Sequence, residues 1–158
     1  CEREFSQKVV DMDDGVVPSE KLEGNCYCGG IKFTVDSDVR PNVKAFCHCE
    51  SCRRAHAAPM YQVVYVPETS FRIVQGVDLV QAYSRNDTSI IRSFCSKCGS
   101  RICNTLPSKP ELGVGFFPAL LGETVQHNLP GCFRPDYHYL SHEAVLNLDE
   151  LKESLPRK

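Results

Sequence analysis

Tryptophan is missing from this 158-residue chain, and methionine occurs only 2 times. Missing too is an excess of either charge, since 18 Lys and Arg stand against 20 Asp and Glu and leave a formal charge of −2. Without a basic surplus, nothing draws the chain to nucleic acid or to an anionic membrane surface. No apolar run approaches the roughly 20 residues that span a bilayer. The opening residues, Cys1-Glu2-Arg3-Glu4-Phe5, lack the apolar stretch of a secretory leader. These absences lead to the expectation of a cytoplasmic protein with no nucleic-acid partner and no membrane association. Internal repeats and low-complexity tracts are absent as well.

Cysteine is plentiful instead, at 10 residues. Most of them fall in three tight groups: Cys26-Tyr27-Cys28, Cys47-His48-Cys49-Glu50-Ser51-Cys52 and Cys95-Ser96-Lys97-Cys98. Extracellular disulfide frameworks spread their cysteines among loops, whereas C-x-C and C-x-x-C spacings bring sulfurs to one centre, which in a reducing compartment reads as metal binding. Two such pairs can close a four-thiolate site of the structural kind. The middle group offers three sulfurs and leaves a position open, as catalytic zinc sites do. Three thiolates on a divalent ion make a poor activator of water, so an incoming thiol is the better guest there. His48, lying inside a C-x-C, has its side chain directed away from the two sulfurs. Cys103 reads as a small core residue, Cys132 as a loop cysteine and Cys1 as incidental. Arg53 and Arg54 read equally as solvated charges or as a clamp for a carboxylate.

Residues 1–21 are polar and acidic and are expected to form an extension with little regular structure. Residues 22–158 then make a single domain of suitable size for one core. Ile31–Val35 alternates apolar and polar residues as a half-buried strand does. Tyr61–Val66 and Phe71–Val74, separated by Pro67-Glu68-Thr69-Ser70, read as one strand pair. Leu79–Tyr83 with Ile90–Phe94 reads as another, and Arg101–Asn104 and Gly113–Phe117 continue the series. Helix is confined to a short turn through Ser51–Ala55 and to Leu148–Leu155, capped by Asn147 and ended by Pro156. The expected class is mainly β, with packed antiparallel sheets and a short C-terminal helix.

Leu22–Phe33, Cys47–Arg53 and Phe94–Ser100, taken together and in that order, resemble the glutathione-dependent formaldehyde-activating enzyme family, to which centromere protein V also belongs. The closing stretch Asp136-Tyr137-His138-Tyr139-Leu140 is similar to the family's last segment. The acidic extension and the missing tryptophan depart from the pattern. The resemblance implies a β-tent fold with two zinc ions per chain. A structural zinc would lie on Cys26, Cys28, Cys95 and Cys98, and a second, functional one on Cys47, Cys49 and Cys52. It further implies a carbon–sulfur lyase that joins glutathione and formaldehyde as S-hydroxymethylglutathione. Its partners would be a small-molecule thiol and an aldehyde. Arg53 or Arg54 would then hold a glutathione carboxylate and His138 would move a proton. The competing expectation, from a different class, is a non-catalytic zinc-stabilised protein-interaction module.

Overall fold

The computed structural model describes residues 20–85 and 90–147. Residues 1–19 of the expected extension and the helix expected over Leu148–Leu155 lie outside the described residues. Among the described residues ten strands carry the fold: β1 (Lys21–Asn25), β2 (Lys32–Asp36), β3 (Val43–Cys47), β4 (Tyr61–Val66), β5 (Phe71–Gln75), β6 (Val80–Tyr83), β7 (Ile91–Cys95), β8 (Arg101–Thr105), β9 (Val114–Phe116) and β10 (Tyr137–Tyr139). Two short helices accompany them, α1 (Glu50–His56) and α2 (Glu123–His127). The protein is therefore mainly β, with antiparallel pairing throughout except where β10 runs parallel to β3.

The strands divide into a small sheet in the order β1-β2-β5 and a larger one in the order β10-β3-β4-β9-β8-β7-β6. Ile31, Phe33 and Val35 of the small sheet bury against Val64, Val66, Ile102, Phe116 and Phe133, all of them fully enclosed. Aromatic rings bind this layer together: Phe33 stacks on Phe71 with centroids 5.1 Å apart, and Phe116 meets Phe133 edge-on at 5.5 Å. Each such ring removes a large apolar area from water and adds a directional contact.

Strand β4 reads Tyr-Gln-Val-Val-Tyr-Val because both of its faces are covered, which suppresses polar alternation. Val64 and Val66 join the core between the sheets. Val63 and Tyr65 point to the opposite face, where they pack with Cys47, Cys52 and Phe117. The middle cysteine group thus lies on the outer side of the large sheet, and α1 covers it.

One expected pairing is corrected. Tyr61–Val66 and Phe71–Val74 do form strands, but β4 belongs to the large sheet and β5 to the small one. Pro67 and the single 3-10 turn at Glu68–Ser70 carry the chain across rather than back. Proline offers no N–H to extend the β4 ladder, so pairing stops there. The other expected pair holds, with Val80–Tyr83 facing Arg92–Cys95 in antiparallel register. Strands β1, β3 and β10 and helix α2 have no counterpart among the elements expected from the sequence.

Candidate metal centres

The first centre is built by two turns from different sheets. Cys26 follows directly on β1, and its turn is closed by the Gly29 N–H donating to the Cys26 carbonyl at 2.9 Å. Cys95 ends β7, and the Gly99 N–H donates to the Cys95 carbonyl at 2.8 Å. Gly99 has φ +75°, the left-handed backbone expected of this knuckle, and nothing but glycine adopts it cheaply. The sulfurs of Cys26, Cys28, Cys95 and Cys98 all lie within 4.8 Å of one another. Cys26 and Cys28 are 3.5 Å apart and Cys28 and Cys95 3.9 Å. Four sulfurs at the zinc bond length form a tetrahedron with edges of about 3.8 Å, so these spacings fit that ion.

Local donors bias these sulfurs unequally. The Ser100 hydroxyl and then its backbone N–H hold Cys98 down to about 5. The Gly30 amide pulls Cys28 down, yet the neighbouring Cys26 sulfur, burial and the Cys98 and Cys95 sulfurs together outweigh it, and Cys28 is pushed up to about 11. Burial opposes ionisation of Cys26, but the Ile31 N–H, 3.2 Å from its sulfur, helps to lower it. Sulfurs packed this closely share protons among themselves and suit replacement of those protons by one cation. The donor set marks a metal site of the zinc type.

The second group is arranged differently. Cys47 ends β3, Cys49 stands just before α1, and Cys52 lies in its first turns, where the Cys52 N–H donates to the Cys49 carbonyl at 3.0 Å. Cys47 and Cys52 are both buried and lie close enough for each sulfur to bias the ionisation of the other. Cys47, with Tyr61 and Arg92, holds Cys52 down to about 5, although burial opposes it. Cys52, followed by burial, pushes Cys47 up. The Cys49 sulfur instead faces the Ser51 hydroxyl at 3.3 Å. Among the described residues, only the first four cysteines form a group of three or more ligand atoms within 4.8 Å of one another. The sulfurs of Cys47, Cys49 and Cys52 thus do not all lie within 4.8 Å of one another.

The remaining predicted residues are also separated. His138 sits on β10, its Nδ1 2.8 Å from His48 Nε2, and the His48 N–H donates to the Tyr139 carbonyl at 3.0 Å. His48 is fully enclosed, and burial, then His138 and Arg53, lower its proton affinity. Arg53 donates from Nε to the His48 carbonyl at 2.8 Å, whereas Arg54 forms a surface pair with Glu50 at 3.2 Å. Cys103 is buried in β8 as expected, and Cys132 is disulfide-bonded.

Two contacts to Cys52 escaped sequence reasoning. Arg92 is only 3% exposed and places Nη2 3.8 Å from the Cys52 sulfur and 3.5 Å from the Ser51 hydroxyl. Tyr61, stacked on His56 with centroids 4.0 Å apart, lies close enough to help lower the proton affinity of the same sulfur. The available signal was an arginine inside the apolar run Ile90-Ile91-Arg92, a place where burial demands a partner.

Comparison with known proteins agrees with this architecture. A family model described as "Glutathione-dependent formaldehyde-activating enzyme" matches residues 21–137. A Halomonas elongata protein, provisionally named as an enzyme of that kind, is 30% identical over 105 residues. That alignment spans 63% of this chain and 65% of the relative, so it leaves part of each unmatched. A crystal structure of a Rhodobacter sphaeroides protein shares the fold, with a TM-score of 0.56 at 21% identity, over 73% of this chain and 99% of that one.

Proposed function

The chain belongs to the glutathione-dependent formaldehyde-activating enzyme family, and from that premise we propose that it is a zinc-dependent carbon–sulfur lyase acting on a thiol adduct, with glutathione as thiol and formaldehyde as aldehyde. Cys26, Cys28, Cys95 and Cys98 are assigned to a structural zinc, and Cys47, Cys49 and Cys52 to a second. Bound by three thiolates, zinc supplies thiophilic binding that favours the deprotonated form of a guest thiol over activation of water.

The observation that carries this reading is that two buried cysteines, Cys47 at the end of β3 and Cys52 in α1, bias each other's ionisation, with Cys49 between them in sequence. Tyr61 and Arg92 help to lower the proton affinity of Cys52. In the synthetic direction a thiol sulfur forms a bond to the aldehyde carbon, the carbonyl π bond breaks, and the thiol's proton ends on the new hydroxyl oxygen. No electrons are gained or lost overall. Holding the two reactants side by side supplies most of the gain, since aligned partners avoid the entropy of meeting in solution. His138 is assigned to carry the proton: it lies next to Tyr139, which faces Cys47 across the parallel strand pair, and it shares a hydrogen bond with His48. Of the two arginines considered for a carboxylate, Arg54 lines a cavity and Arg53 is tied to the backbone.

Replacing Cys52 by Ser is expected to lower zinc from two ions per chain to one, to leave the domain folded, and to slow isotope-labelled glutathione–formaldehyde exchange by about a hundredfold or more. Full exchange by that variant would sink the proposal. The competing reading, a protein-interaction module, draws support from the Cys49 sulfur facing Ser51. Cobalt-substituted protein separates the two: its spectrum changes on adding glutathione if the site is open, and stays fixed if both metals are structural.

A further inference from the structure

Beside Cys52, four arginines converge on one cleft. Arg54, Arg85, Arg92 and Arg101, together with Ser51, line a cavity of about 210 Å³. This is unexpected in a chain whose formal charge is −2. Among the described residues no carboxylate lies within ion-pair distance of Arg92 or Arg101, and Arg54 meets only Glu50 at the surface. Arg92 is almost wholly enclosed, and its Nε finds no hydrogen-bond partner. The Cys52 sulfur, 3.8 Å away, is the anionic group nearest to Arg92, and several guanidinium groups sharing one cleft still repel each other.

Arg101 is held in place from the rear. Its Nε and Nη2 donate to the Ala55 carbonyl at 3.2 and 3.0 Å, and its guanidinium lies 5.6 Å from the centre of the Phe94 ring. This leaves Nη1 for a ligand. The small cavity opens beside a larger one of about 920 Å³, with Ala55, Tyr83 and Arg101 lining both. Met60, Phe94, Phe117 and Leu120 give the larger space an apolar, aromatic character. Cationic end and apolar body together describe the complement of an organic acid.

We propose that the arginine cleft is a carboxylate-binding site, taking the acid end of a small molecule whose aryl or alkyl body lies in the adjoining cavity. The planar fork of a guanidinium matches a carboxylate in two parallel hydrogen bonds, and here one buried fork, Arg92, stands behind three that reach toward solvent. The site is read by binding alone, so its failure and the failure of the exchange reaction are separate results.

The test is an NMR titration of the zinc-loaded full chain with phenylbutyrate, with its uncharged amide and with inorganic phosphate. The acid is expected to bind saturably and to shift the backbone amides of Ser51, Arg92 and Arg101. The amide should bind about tenfold more weakly or worse, the equivalent of one charge-assisted contact. Arg101→Met and Arg54→Met should each weaken the acid by about fivefold or more. Arg54 is on the surface, so its variant keeps the test alive should the Arg101 variant not fold. Equal binding of acid and amide overturns the proposal, as does acid affinity unchanged in Arg54→Met or no saturable binding at all. Phosphate binding as tightly as the acid overturns it too, since that would mark a site for any oxyanion.

Discussion

His56 illustrates how one side chain can carry a cost inside a well-packed layer. It stacks on Tyr61 and meets Phe117 edge-on at 5.0 Å, yet its Nε2 is buried without a hydrogen-bond partner. Burial, then the charges of Arg101 and Arg92, hold it down to about 4 from an ordinary 6.5. The unfolded chain therefore takes up this proton first on acidification. Stability is full above about 6.5 and declines toward 4, by up to about 3 kcal/mol from this group. His56→Phe keeps the ring contacts and removes both the orphaned nitrogen and the proton uptake. It should raise the neutral-pH melting temperature and flatten the decline in stability between pH 6.5 and 4. Parallel pH profiles for variant and parent would rule out this imidazole as the source. At this scale the cysteines of the first centre were legible, because C-x-C and C-x-x-C act locally. Arg92 and His56 were not, because their environment comes from strands far away in sequence.

Elements were legible where one local pattern decided them. Strands β4 to β9 announced themselves through runs of Val, Ile, Phe and Tyr, and α1 began where the middle cysteine group predicted a turn. The pairing of β4 was missed because strand composition says nothing about which sheet a strand enters. Strand β10 is three residues, Tyr137-His138-Tyr139, too short for any periodicity, and it exists because its backbone lies along β3. The approach of β5 to the first cysteine turn also depends on one residue. Gly76 has φ +72°, and a Cβ there would collide with the Gly30 carbonyl oxygen. Gly76→Ala should cost about 1–3 kcal/mol through backbone strain, before any further loss from the collision. Denaturant midpoints would measure this, and an unchanged midpoint would mean that the small sheet yields without resistance.

Over the whole molecule, the first centre joins the two sheets. Cys26 and Cys28 extend from the small sheet, and Cys95 and Cys98 from the large one. Structural zinc supplies about 10–16 kcal/mol of apparent binding energy. A domain of this size is stable by only about 5–15 kcal/mol in total. Stripping metal under reducing conditions, or introducing Cys98→Ser, should thus abolish the cooperative thermal transition and the near-UV dichroism. A chain that melts unchanged after chelation would show that the apolar layer alone holds the sheets. Class and domain-wide stapling could be read in advance from sulfur spacing, whereas the arginine cleft and the parallel edge strand could not.

The stapling has a consequence for biosynthesis. During translation the leading pair of thiols reaches the outside of the ribosome long before the trailing pair, since some 67 positions separate Cys28 from Cys95. The nascent small sheet must wait, half-assembled and sticky, until the second knuckle emerges to complete the clasp. Any shortage of ion at that moment would be felt as lost yield of protein before it was felt as lost activity.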